Sequence, residues 1–181
     1  GWTQGDVASA TARRYLAPHR LNEAKIAHES TIIEKGHWKL VMENNRECFH
    51  CRSAHPELCV TFPEAPLHSG GGSGDDLAAL ERMVDECEAI GLPSRFLASP
   101  DLQYRAMRMP FLGDARSMTP TGEPAVGVRL GELPERNIGD VLLYHYPSTW
   151  CHFTADHAVT FRLLPLTATT AELTTTWLVH E

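Results

Sequence analysis

Beyond Pro100 the chain passes through one strand-like segment after another with no helical stretch between them, and this order limits the fold more than any other feature. Gln103–Met109, Ala125–Leu130, Val141–Tyr146, Ala158–Leu164 and Glu172–His180 are bounded by turn formers, and the last two are rich in Val, Phe, Thr, Leu and Trp. Consecutive strands without crossover helices pair antiparallel, so the class is α+β. The helices lie upstream. Trp38, Val41 and Met42 fall on one stripe and predict a helix from His37 to Ala54, following a short strand at Thr31-Ile32-Ile33. Asp75 reads as the N-cap of a second helix running to Ile90, where Gly91 and Pro93 stop it. The intervening Ser69–Gly74, Ser-Gly-Gly-Gly-Ser-Gly, reads as a flexible surface loop. With 181 residues, 43% of them hydrophobic, the chain can bury one core, and one domain is expected.

Composition removes several function classes. The formal net charge is −7 and no Lys/Arg cluster forms a phosphate-tracking surface, which argues against nucleic acid. No apolar run is long enough for a spanning helix, and there is no secretory signal. The chain opens on Gly1, so upstream sequence is expected to be absent. Five cysteines, an odd number, fit a reduced protein of the cytoplasm.

The chemistry concentrates in Glu43–Leu58. His50 and His55 stand five positions apart, with Glu47 one turn before the first. Imidazole is the commonest metal ligand near neutral pH, and two of them are two-thirds of a 2-His-1-carboxylate iron site. On one continuous helix a five-residue step turns roughly 140°, too far for a shared metal. Pro56 keeps the residue before it out of the α region, so the helix should end near Ala54 and swing His55 back towards His50. Cys48-x-x-Cys51 offers zinc as an alternative, with Cys59 the nearest further ligand. Cys48-x-His50 has no Cys-x-x-His partner, so no Rieske cluster is expected within these residues.

Trp38-Lys39-Leu40-Val41-Met42-Glu43-Asn44, followed by Glu47-x-x-His50-x4-His55-Pro56-Glu57-Leu58, resembles the mononuclear-iron motif of Rieske non-heme iron oxygenase α-subunits. Glutamate at position 47 resembles the branch acting on quaternary ammonium compounds, the glycine-betaine, choline, carnitine and proline-betaine oxygenases. Gly139-Asp140, Tyr144–Trp150, His152-Phe153, Asp156-His157 and Trp177–Glu181 resemble the later strands of that branch. The resemblance implies a helix-grip catalytic domain in which His50 and His55 hold Fe(II). It implies that Glu47 is the catalytic carboxylate, bridging across a homotrimer interface to a histidine of the neighbour's [2Fe–2S] Rieske cluster. That cluster belongs to a domain before this one, and an aspartate beyond Glu181 completes the iron ligands. A separate flavin/iron–sulfur reductase brings electrons from NAD(P)H, and the reaction is oxidative N-demethylation of a betaine-type substrate. The aromatics Tyr144, Tyr146, Trp150 and Phe153 are candidates to hold its trimethylammonium group by cation–π contact. Alone, these residues are expected to bind iron weakly and to be inactive. A non-catalytic helix-grip ligand-binding domain and a zinc hydrolase using the same histidines are the competing readings.

Overall fold

A computed structural model describes residues 10, 12–63, 73–99 and 103–181. Its frame is a seven-stranded sheet with order β1-β7-β6-β5-β4-β3-β2, and every pairing is antiparallel. The strands are β1 (Ala24–Glu34), β2 (Leu97–Ala98), β3 (Tyr104–Met109), β4 (Asp140–His145), β5 (Thr149–Phe153), β6 (His157–Pro165) and β7 (Ala171–His180). The α-helices that bear on the site are α1 (Trp38–Arg46), the single turn α2 (Cys51–Ala54) and α3 (Gly74–Ala89), and residues 12–16 are also helical. The α+β class therefore stands. Among the described residues, no helix is long and apolar enough to cross a membrane.

Alternation along the central strands sorts side chains between two faces. Tyr104, Ala106, Val141, Leu143, Cys151, Phe153 and Ala158 point one way and pack with Leu92, Leu130 and Ile138 into the main core. Met107, Leu142, Tyr144, Trp150 and Phe161 point the other way. There α1 lays Met42, Trp38 and Val41 against Trp150, Leu163 and Ala171, which fixes the helix over the sheet. Gly139 permits the entry into β4: its φ is +65°, and a Cβ there would collide with the Met109 carbonyl.

Several expectations change. β1 is an eleven-residue strand rather than the short Thr31–Ile33 segment, because its whole length pairs with β7. Ala125–Leu130 forms no strand. The Ala125 amide donates to Asp156 Oδ2 at 2.7 Å and the Leu130 amide to the Ala155 carbonyl at 2.8 Å, so this backbone is tied to the β5–β6 turn instead of a ladder. Thr149–Phe153, outside the five expected strands, is a central one. Helix α3 is capped by Ser73 rather than Asp75: Ser73 Oγ accepts from the Asp76 amide, and Asp76 Oδ2 accepts from the Ser73 amide. The rest of the Ser69–Gly74 loop expectation, residues 69–72, lies outside the described residues.

His19 is fully buried against Phe153, with ring centroids 5.7 Å apart. Burial, reinforced by the nearby Arg108 guanidinium, pushes its pKa from 6.5 down to about 4. The folded protein thus resists a proton that the unfolded chain accepts. Its contribution is intact above pH 6.5 and is lost as pH falls through about 4. We predict that denaturant titrations of the full-length protein across this window show about 3 kcal/mol more acid destabilisation than His19→Gln. Equal pH slopes for the two proteins would show that His19 takes up its proton without unfolding.

Candidate metal centre

The histidine segment is not one helix. α1 ends at Arg46, and Glu47 is extended, with φ −119° and ψ 161°. Glu47 holds this break with both carboxylate oxygens: Oε2 accepts from the Phe49 amide at 2.5 Å and Oε1 from His50 Nδ1 at 2.7 Å. His50 then caps the single turn of α2, and His55 closes it with φ −148° and ψ 67°. The helix does end at Ala54, as Pro56 requires, but the turn that brings the rings together also depends on the break at Glu47. The His50 and His55 ring centroids lie 4.9 Å apart.

The hydrogen bond from His50 holds the Glu47 carboxyl below the usual carboxylate range, so Glu47 stays an acceptor. It places the proton of neutral His50 on Nδ1 and leaves the lone pair on Nε2, beside Asn44 Nδ2 at 3.5 Å. Ligand atoms of His50, Cys51 and His55 lie within 4.8 Å of one another. Cys51 is closed in a disulfide with Cys48, so it presents no thiolate there. This pairing corrects the expectation of reduced cysteines at these two positions and takes both sulfurs from the zinc alternative. Among the described residues no carboxylate joins the two imidazoles. Two nitrogen donors with open positions beside them fit a mononuclear iron that takes a further oxygen ligand.

The histidines open onto a cavity of about 360 Å³. Phe62, Tyr144, Trp150 and Phe161 form much of its wall, with Trp150 and Phe161 stacked at 4.9 Å and 9°. Burial pushes the Tyr144 hydroxyl up to about 12, so it is a neutral phenol. Tyr146 is not part of this wall; it stacks on Tyr144 at 5.6 Å and 5°. Phe153 is corrected outright. It sits one residue beyond His152 in β5, faces the opposite side of the sheet, and is buried in the main core.

His152 is the residue that the sequence reading left without a role. It lines the cavity because it lies two positions from Trp150 on the same strand face. Buried Asp140 accepts from its Nδ1 at 2.7 Å and from the Phe153 amide at 2.9 Å. Neutral His152 therefore keeps its proton on Nδ1, leaving Nε2 as an acceptor on the side of the ring away from Asp140. The alternation Trp150-x-His152 was the available signal. Asp156 is elsewhere, clamping the β5–β6 turn through Ser117, Thr154 and His157. Its burial opposes ionisation, yet hydrogen bonds from these neighbours bring its pKa down to about 2.

Residues 21–181 match the catalytic domain of the ring-hydroxylating alpha subunit. The chain is 38% identical over 175 residues to a glycine betaine monooxygenase oxygenase subunit of Chromohalobacter salexigens, covering 95% of this chain and 39% of that protein. It is 36% identical over 176 residues to the subunit of the same name from Pseudomonas aeruginosa, covering 95% and 40%. The chain thus spans about two-fifths of the length of these relatives. The fold is similar to that of a quaternary ammonium Rieske monooxygenase studied for carnitine oxidation and inter-subunit electron transfer. The TM-score is 0.57 at 12% identity, over 99% of this chain and 38% of that one. With the family match running through both histidines and all seven strands, the chain belongs to the catalytic-domain family of ring-hydroxylating alpha subunits.

Proposed function

We propose that the protein containing this chain is the oxygenase component that hydroxylates an N-methyl group of a small quaternary ammonium compound of the betaine type. The observation that carries this reading is the convergence of His50 and His55, with Glu47 on the far nitrogen of His50, at an aromatic-walled cavity. The relatives named for glycine betaine support the substrate class. One oxygen atom of dioxygen enters a methyl C–H bond and the other leaves as water, with two electrons and two protons supplied through a reductase. The hydroxymethyl product then releases formaldehyde and the demethylated amine.

His50 and His55 would hold the iron, which would supply the redox chemistry when bound. The chain's own residues set its surroundings. Glu47 fixes the His50 ring and its tautomer, and the stacked Trp150 and Phe161 exclude water from one wall. A [2Fe–2S] cluster, reduced from NAD(P)H through the reductase, would supply the electrons. In a homotrimer, Glu47 would be the group that reaches towards that cluster's histidine in the neighbouring subunit. Phe49, two residues on, is 97% exposed, which suits a surface covered by another subunit.

In the full-length protein, His50→Ala and His55→Ala are expected to lose iron while their melting temperatures stay near wild type. Normal iron content in either purified variant would end the metal assignment. Iron affinity should also fall on acidification, because only neutral imidazole binds. Dioxygen-dependent formaldehyde release from glycine betaine tests the reaction itself.

Glu47→Gln is expected to retain iron but to lose most reductase-coupled turnover. A variant that loses iron yet still accepts electrons at the wild-type rate would contradict the role given to Glu47.

A further inference from the structure

Arg105 on β3 pairs in register with Tyr144 on β4, which puts its side chain on the cavity face of the sheet. Its guanidinium lies 5.2 Å from the Tyr144 ring centroid and 5.0 Å from that of Tyr146, and it donates to the Tyr146 hydroxyl. Arg46, the last residue of α1, stands 5.0 Å from the same Tyr146 ring. Two fixed cations therefore meet at one stacked tyrosine pair. Neither forms an ion pair with a carboxylate among the described residues. The Nε of Arg105 is buried and has no hydrogen-bond partner. A buried N–H of a cation left without an acceptor is costly, and an anion relieves both that cost and the repulsion between like charges.

Space for the anion is present. A cleft of about 80 Å³ lies between Arg46, Arg105, Phe96 and Met107, and it shares Leu142 and Tyr144 with the metal cavity. The two spaces thus border the same two side chains. A trimethylammonium group cannot use the ring faces already covered by guanidinium, since like charges repel there. It is left the Trp150–Phe161 end, on the cavity wall shared with His50 and His55.

We propose that Arg46 and Arg105 form the carboxylate subsite of this cavity, selecting zwitterionic trimethylammonium acids over the corresponding alcohols. This rests on the N-demethylation reading above. A guanidinium recognises carboxylate by parallel N–H donors, and its charge repels the cationic end of a reversed substrate. The subsite therefore sets orientation, presenting the N-methyl end to the histidines.

The test uses full-length, iron-loaded oxygenase with its reductase. Glycine betaine and choline are compared by steady-state kinetics and by anaerobic calorimetry. Arg46→Gln and Arg105→Gln should each lower the betaine-to-choline ratio of kcat/KM by about tenfold to a hundredfold, mostly through KM. Arg46 is exposed, so Arg46→Gln separates recognition from folding, and Arg46→Lys should recover part of the ratio. Iron content and melting temperature report whether each variant is intact. An unchanged ratio in both intact Gln variants overturns the subsite, as does a wild-type preference for choline, and both leave N-demethylation standing. A wild-type protein that keeps iron but neither binds nor demethylates either compound overturns the functional reading and the subsite with it.

Discussion

The geometry of the site depends on one carboxylate doing two things at a helix end. Glu47 takes the Phe49 amide on one oxygen and His50 Nδ1 on the other, and the first contact is available only because its own backbone has left the helix. Were α1 to continue, that amide would bond a carbonyl four residues back and His50 would project from the helix wall. Stopping α1 at Arg46 lets His50 begin a separate turn whose other end is His55. The residue that orients the His50 ring is thus also the one that breaks the helix. Glu47 is half-buried, as His50 is, and both line the cavity.

The sheet contributes through parity. Along β5, Trp150 and His152 face the cavity while Cys151 and Phe153 face the core, and a one-residue slip would exchange the two sets. Asp140 resists such a slip because it binds the Phe153 amide and the His152 ring together across the β4–β5 pair. The collision a side chain would meet at Gly139 explains why a glycine precedes this aspartate. Backbone and cavity are therefore pinned at the same place, through the bond from His152 to Asp140.

Much of this was legible in the sequence where local rules act alone. The antiparallel order, the helix stop before Pro56 and the pairing of His50 with His55 follow from propensity and backbone sterics. Two of the misses share a cause, which is that a non-local partner overrides the local pattern. Ala125–Leu130 looks like a strand until its amides find Asp156 and Ala155. Thr149–Phe153 is short and follows Tyr146-Pro147-Ser148, so only its two flanking partners mark it as central. Phe153 was grouped with Trp150 by composition, whereas strand parity separates them. The Ser73 cap was hidden because three adjacent residues can each cap a helix, and the reciprocal bond with Asp76 selects one of them.

Charge supplies the last constraint. A cavity for a cationic group would ordinarily be expected to offer its exposed tyrosine faces, and the sequence reading gave Tyr144 and Tyr146 that task. The folded chain places its own guanidiniums there instead, so the aromatic surface divides into an end already paired with cations and an end that is not. The division gives the cavity a direction. Strand register fixes Arg105 opposite Tyr144, and the helix stop that frees His50 also fixes Arg46 beside Tyr146. Under the function proposed above, a substrate with charges of both signs would be aligned by the fold before it meets the two histidines.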